Sequence, residues 1–501
     1  MIVEILCSLF VLILYLFYTR SSKYRIGDFA CAPANFLIGN AFEVASTRRV
    51  IPFLHRHLMN YNGLFKFSVG SRAILAASDH KFLEWILKSN KIIAKPEHFE
   101  VFKEWLGDGL LTSSGSHWKE HRRILSPAFH FKIIEDFLTV CHRKSEVLVQ
   151  QLEAELDKDH CDVYPFFAKF TLENIAESSM MIRIDDEENK SEFLDALNIV
   201  SEVLVERMIN FFYLHDIGFL FHPEKKLYQK SLRVINEFNT SVIKRRREEL
   251  DRSSSNSLGD DNDNNIYAAN KKTAFLDVLL TAVDSNGQPF SDKDIMDEVN
   301  TVMLAGYDVV SCALSFILYN LANNPDVQRK AFEEQASLNS DVAFEQITIS
   351  EINSMKYLEM VIKESMRMHT PVPFVARRVE EDVYYDDKLI PNGTTIILAL
   401  YSLHHNPESF PEPEIFNPTR FDANSKVPPF AYLPFSAGQR NCIGQKFAMA
   451  EMKVVVAKIL RKFELFPSRL QYKPQLFAAL TLRSENGVCL RLKRRNYSGI
   501  S

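Results

Sequence analysis

The stretch "PFSAGQRNCIGQKFA", Pro434 to Ala448, decides how the rest of the chain is read. A single cysteine, Cys442, stands between Gly438 and Gly444, two residues after Arg440, and leads into an apolar run of helical period. A cysteine that only fills core needs no such surroundings, and most free cysteines near a glycine are simply buried. Glycine on both sides permits a tight loop and the close approach of a flat ligand to the backbone. The run from Cys442 to Leu465 reads as a helix beginning at the cysteine. Free N–H groups at such a helix start favour thiolate over thiol. A thiolate is the form that ligates iron, and an arginine two residues earlier can pair with an anionic carboxylate.

Working outward, the chain has 501 residues, 46% hydrophobic and 25% charged, which is ample material for a large core. Its 64 acidic and 59 basic residues leave a net charge of −5, so no broad basic field exists to hold nucleic acid. Seven cysteines at wide spacing, with no CxxC, argue against a disulfide framework or a structural zinc site. Residues 2–18, "IVEILCSLFVLILYLFY", form an apolar run at the low end of membrane-spanning length. Arg20, Lys23 and Arg25 follow it, which reads as an anchor with the remaining chain in the cytosol. The alternative is a signal peptide cut near Ala30-Cys31-Ala32. It lacks a basic leader, and its charges fall on the wrong side of the apolar run.

The domain plan is then an anchor over 1–20, a Pro/Gly-punctuated hinge over 21–40, and one large catalytic unit over 41–501. Helical patterns dominate to about residue 370. A polar insert, 251–272, reads as a mobile surface loop because it holds almost no core-forming residues. Ser291 to Pro325 reads as one long interior helix, capped by Ser291 and apolar on most faces. Gly306 lies in its middle, which suggests either tight helix packing or a bulky group beside the backbone. Beyond residue 370, Thr394–Leu400 and Gly487–Arg494 read as strands. The fold class is mainly α with a minor β component.

The stretch "FSAGQRNCIG" resembles the cysteine loop FxxGxRxCxG of cytochromes P450. Further matches follow in the family's order: "HWKEHRR" with Trp118 and Arg122 (WxxxR), "KYLEMVIKESMRMH" with Glu364 and Arg367 (ExxR), and "FNPTRF" with Arg420, where Thr419 replaces the usual glutamate. The resemblance covers nearly the whole chain and implies the cytochrome P450 fold behind an N-terminal membrane-anchor helix. It implies that Cys442 is the thiolate ligand of haem iron, with Phe435 packed beside the sulfur. Trp118, Arg122, Arg377 and Arg440 would hold the haem propionates, and Glu364, Arg367 and Arg420 would form a buried network behind the loop.

Two departures bear on function. The family's distal pattern (A/G)GxDT is here Ala305, Gly306, Tyr307, Asp308, Val309. By resemblance Gly306 would open a groove for dioxygen and Asp308 would be the retained acid. Val309 keeps the shape of threonine but lacks its hydroxyl. Ser311 lies about 200° around the helix from Val309 and cannot substitute for that hydroxyl, and Tyr307 points elsewhere for the same reason. The segments "HRRILSPAFHF", "PVPFVARR" and "SLHHNPESFPEPEIFNP" resemble the family-4 clan, whose best-known members hydroxylate fatty acids. Many of those carry a glutamate where this chain has Ala305, so the haem b here is expected to be non-covalent.

The resemblance also implies partners. NADPH–cytochrome P450 reductase, carrying FAD and FMN, would deliver electrons from NADPH, with cytochrome b5 as a second donor. Lys119, Arg123, Lys446 and Lys453 are candidates for the docking patch, or an ordinary solvated face. The expected function is insertion of one oxygen atom into a lipophilic substrate at the endoplasmic reticulum membrane. Fatty acids, terpenoids, steroids and xenobiotics all fit. The alternatives are a haem-thiolate isomerase or dehydratase, a poorly coupled oxidase, or a silent haem protein that binds a ligand. Pocket walls are expected from Phe99–Leu111, Leu194–Phe212, Ala305, Val309, Val372–Val375 and Leu480.

Overall fold

The computed structural model describes residues 26–35, 38–130, 133–183, 187–257, 274–338, 347–469 and 472–496. The expected anchor lies outside these residues. The longer helices are α1 (Thr47–Asn60), α2 (His80–Lys88), α3 (Gly115–Leu125), α4 (Ile134–Glu153), α5 (Tyr164–Met180), α6 (Glu187–Ile209), α7 (Lys225–Ser257), α8 (Asp292–Asn323), α9 (Pro325–Leu338), α10 (Lys356–Met368) and α11 (Gln445–Lys462). The strands are β1 (Leu64–Val69), β2 (Arg72–Ala77), β3 (Cys161–Asp162), β4 (Val375–Arg378), β5 (Val383–Tyr385), β6 (Lys388–Ile390), β7 (Thr395–Leu398), β8 (Phe463–Pro467), β9 (Leu476–Ala478), β10 (Leu482–Ser484) and β11 (Cys489–Arg494).

Helix α8 forms where its caps place it. The Ser291 side chain accepts from the Asp294 N–H, and Asp292 and Asp294 complement the dipole in the first turn. Pro325 lacks an N–H and disfavours helical geometry in the residue before it, so the chain breaks there and restarts as α9. Most of α8 is buried, which explains an apolar run long enough to cross a membrane inside a globular body. Helix α5 packs along it, and Thr171 Oγ1 donates to the Tyr307 carbonyl at 3.0 Å. A Cβ on Gly306 would lie 2.5 Å from Ile175 Cγ1, so the glycine is there for close packing of α5 on α8. Of the two readings of Gly306, this contact supports tight helix packing.

Helix α11 packs against α4, α8 and α9. Its centre holds Val454, Val455 and Val456, all fully buried. Three β-branched residues in a row argue against a helix by propensity, and burial of each side chain, at roughly 1.5–3 kcal/mol, overrides that preference. The helix starts at Gln445, not at Cys442, and the chain turns into strand β8 at Phe463. The polar insert also differs from expectation, because α7 runs on to Ser257 and takes in its first residues, while 258–272 lie outside the described residues.

The main sheet has the order β1-β2-β7-β4. Strands β1 and β2 form a hairpin, and β2 then pairs in parallel with β7, Ile74 opposite Thr395, more than 300 residues later. These two early strands are not singled out in the sequence, where helical patterns dominate to about residue 370. A second sheet, β3-β11-β8, closes the far end. Cys31 and Gly39 bridge to β1 at Lys66 and Val69, so the expected hinge is docked against the sheet edge.

Candidate functional site

The cysteine loop is held by its own backbone. Cys442 N–H donates to the Phe435 carbonyl at 2.9 Å, closing the turn. Gly438 has φ +70°, and a Cβ there would lie 1.9 Å from the Leu87 carbonyl oxygen, so only glycine fits against the end of α2. The Cys442 thiol is accessible, unlike Cys141, Cys161, Cys312 and Cys489, and none of these five is in a disulfide. Burial pushes the thiol's pKa up, while the Gly444 N–H and the Arg122 charge pull it down. The net shift is upward, so these two groups offset burial only in part.

Around the loop lies a cluster of cations. Arg440 donates to the carbonyls of Ser113 at 2.5 Å, Ile93 at 3.2 Å and Leu110 at 3.3 Å, and its guanidinium stacks 4.0 Å from the Trp118 ring. Arg122 donates to Asn441, to the backbone oxygen at 3.0 Å and the side-chain oxygen at 2.8 Å. Arg377 is buried and, among the described residues, donates only to the neighbouring Ala376 carbonyl. Lys95 stands beside Arg377 and Arg440, which, after burial itself, depress its pKa well below the usual value. Burial lowers Arg377 to about 10; burial, with Arg377 and Arg122 close by, lowers Arg440 to about 9. Among the described residues no carboxylate pairs with any of these four cations. Buried charge without a partner is costly, so the cluster fits a ligand that brings carboxylates of its own. Together with an accessible thiol, this donor set matches a haem with its two propionates.

Behind the loop the charges are matched. Glu364 and Arg367 are fully buried, with Arg367 Nε and Nη2 at 2.8 and 3.0 Å from the two carboxylate oxygens. Arg420 Nε adds a contact at 3.3 Å and the Asn417 N–H another at 2.8 Å. Arg367 also donates to the carbonyls of His404 and Pro413. His404 Nε2 accepts the Leu433 N–H at 2.9 Å, which links the network to the start of the cysteine loop. Neither His404 nor Lys95 was signalled by the sequence, since each acts through neighbours distant in the chain.

Asp308, the expected retained acid, is held by three partners. Its carboxylate is fully buried and accepts from Arg483 at 2.7 Å, Thr481 at 3.1 Å and Tyr164 at 3.3 Å. It is an ion-paired tie between α8, α5 and β10, not a free acid, because a buried carboxylate keeps its charge by such pairing. Ser311 Oγ donates to the Asp308 carbonyl, and Tyr307 OH reaches Asn198, so neither hydroxyl lies beside Val309. Ala305 is exposed and Val309, one turn on, is half-buried, whereas Leu304, Tyr307, Asp308 and Val310 are buried. Lys119, Arg123 and Lys446 are exposed, whereas Lys453 is buried on Glu359 and the Ile352 carbonyl and leaves the candidate docking patch.

A cavity of about 640 Å³ lies between the main sheet and the end of α6. It includes Phe99, Met208, Phe211 and Phe374 from the expected pocket walls, but neither Ala305, Val309 nor Leu480.

Fold and site together define a haem-thiolate protein, and the comparisons agree. The family pattern described as Cytochrome P450 matches residues 30–490. The chain is 37% identical to "Cytochrome P450 4d2" of Drosophila melanogaster, covering 89% of each chain. It is 35% identical to "Cytochrome P450 4c21" of Blattella germanica, over 89% of this chain and 90% of that one. It is 33% identical to "Probable cytochrome P450 4s3" of Drosophila melanogaster, over 95% and 94%. The chain belongs to the cytochrome P450 family, among relatives of family 4, and is a haem-dependent monooxygenase.

Proposed function

We propose that this chain hydroxylates a lipophilic substrate at the endoplasmic reticulum membrane, using haem held by Cys442 and electrons from NADPH–cytochrome P450 reductase. The observation that carries the reading is the accessible Cys442 beside four cations that no carboxylate among the described residues neutralises. Arg122, Arg377 and Arg440, with Lys95 and the Trp118 ring, would hold the propionates. When bound, thiolate-ligated haem supplies the activation of dioxygen. The chain's own residues place the thiol, shield it and wall off the reacting space. Phe435 sets the thiol by accepting the Cys442 N–H through its carbonyl. Gly438 brings the loop against α2, and the network of Glu364, Arg367 and Arg420 stops the loop from relaxing.

A lipophilic substrate is supported by the aromatic and aliphatic lining of the cavity. Membrane residence is supported by the exposed Phe211, Phe212, Ile217, Leu220 and Phe221 in the segment bordering that cavity, the last 71% exposed. The exposed Lys119, Arg123 and Lys446 suit an acidic electron donor. The test is the carbon monoxide difference spectrum of reduced protein, followed by NADPH- and reductase-dependent turnover. A thiolate-type spectrum lost in Cys442→Ala is expected, and an unchanged spectrum in that variant would overturn the reading.

A second reading rests on the distal helix. Val309 has no hydroxyl, Ser311 is committed to a backbone carbonyl and Asp308 is tied to Arg483. Proton delivery there depends on water or on the substrate. Loose coupling, or rearrangement of a hydroperoxide without reductase, follows from such a site. Product formed per NADPH consumed is expected to rise in Val309→Thr. Tight coupling in the natural protein, with no gain in the variant, would exclude leakage.

A further inference from the structure

Helix α3 carries more than Trp118 and Arg122. The same stretch, "HWKEH", places His117 and His121 one turn apart on one face. The His117 and His121 ring centroids are 4.0 Å apart. One donor atom from each histidine and one from Asp294, in the first turn of α8, all lie within 4.8 Å of one another. We propose that His117, His121 and Asp294 bind a borderline divalent metal ion of the zinc class.

The surrounding hydrogen bonds carry the argument. His121 Nδ1 lies 2.7 Å from Glu298 Oε1, and Glu298 is fully buried with its other oxygen accepting the Leu110 N–H. His117 Nε2 lies 3.0 Å from the Asp108 carbonyl, which can only accept. These contacts set His121 as the Nδ1–H tautomer and His117 as the Nε2–H tautomer. The nitrogens left with lone pairs are Nε2 of His121 and Nδ1 of His117. A carboxylate or carbonyl behind each imidazole is the arrangement that orients metal-binding histidines and raises their basicity. Asp294 supplies an anionic oxygen from a half-buried side chain, steadied by Ser291 Oγ at 2.6 Å. Two imidazoles and one carboxylate suit zinc better than magnesium or calcium, which take oxygen sets. Tetrahedral zinc needs ligand atoms about 3.3 Å apart, so the three side chains would close in from within 4.8 Å of one another and water would complete the shell.

The ion would tie α3 to α8 and, through Asp108 and Leu110, to the segment whose Ser113 and Leu110 carbonyls hold Arg440. Nothing in the haem machinery uses these three side chains. The experiment is calorimetric titration of zinc chloride into untagged, haem-loaded, full-length protein that has been stripped with chelator. One ion per chain is expected, with affinity weakened at least tenfold in His117→Ala and in the near-isosteric Asp294→Asn. An unchanged carbon monoxide spectrum reports that both variants are folded. Zinc is also expected to raise the melting temperature of the natural protein but of neither variant. Equal zinc affinity in all three proteins, or no binding tighter than about 100 µM in the natural one, would overturn the proposal.

Discussion

Two groups of buried and half-buried arginines sit on either side of the cysteine loop and behave oppositely. Behind it, Arg367 and Arg420 converge on one carboxylate, Glu364, with three contacts between 2.8 and 3.3 Å. Beside it, burial lowers the pKa values of Arg122, Arg377, Arg440 and Lys95, neighbouring arginines lower those of Arg440 and Lys95 further, and no carboxylate among the described residues pairs with any of the four. The first group is complete within the chain. The second is complete only with an anionic ligand. Burial alone therefore does not mark a functional arginine; what matters is whether its charge is answered by the protein or left for something else.

The comparison breaks first at Glu364. Replacing it with glutamine strands Arg367 in a fully buried site, at a cost of about 3–5 kcal/mol. The expected outcome is little or no folded haem protein, measured by chemical denaturation and pigment yield; a variant as stable as the natural protein would contradict the paired assignment. Arg377→Met should do the reverse to the bare chain, because it removes a buried charge with no partner. The haem-free protein is expected to be as stable as the natural one or more so. Haem should leave about 10–100-fold faster, as the loss of one charge-assisted hydrogen bond at roughly 1.5–3 kcal/mol implies. Haem transfer to an acceptor apoprotein measures it, and slower loss would show that Arg377 does not face the propionates.

His404→Ala tests the link between the network and the loop. It leaves the buried Leu433 N–H without an acceptor, so about 1–3 kcal/mol of stability should be lost, with broadening of the thiolate spectrum as the loop loosens. The smallest effect lies at the network's outer edge. Burial raises the Glu359 pKa, but Lys363 and Lys453 outweigh it and bring it from 4.5 to about 2. Its folded-state value is below the unfolded one. The stabilisation is therefore present above about pH 4.5 and is lost as pH falls from 4.5 through about 2. Partial exposure limits it to about 1 kcal/mol or less. Acid unfolding curves should be flatter over that window in Glu359→Gln.

Much of the site was legible in short patterns. The cysteine loop, the ExxR pair and the capped helix α8 each depend on residues within a turn or two of one another, which is what a sequence displays directly. Where the reading failed, the deciding contact was remote. Cys442 was expected at a helix start, but Gly444 and Gln445 carry it. Gly306 packs against Ile175, more than a hundred residues away. Lys453, expected in a surface patch, is buried on Glu359, and Asp308, expected as the retained acid, is paired with Arg483.

The sequence by itself determined the family, the cysteine loop, the valine at position 309 and the course of the long interior helix. These rest on residue identity and on local backbone rules that act over a few positions. Only the tertiary structure decided which charges are answered and which are not, why β2 lies parallel to β7, and that two histidines meet an aspartate across two helices. Those outcomes depend on burial and on partners brought together from opposite ends of the chain, and electrostatic energy inside a protein is set by such neighbours, not by spacing along the chain.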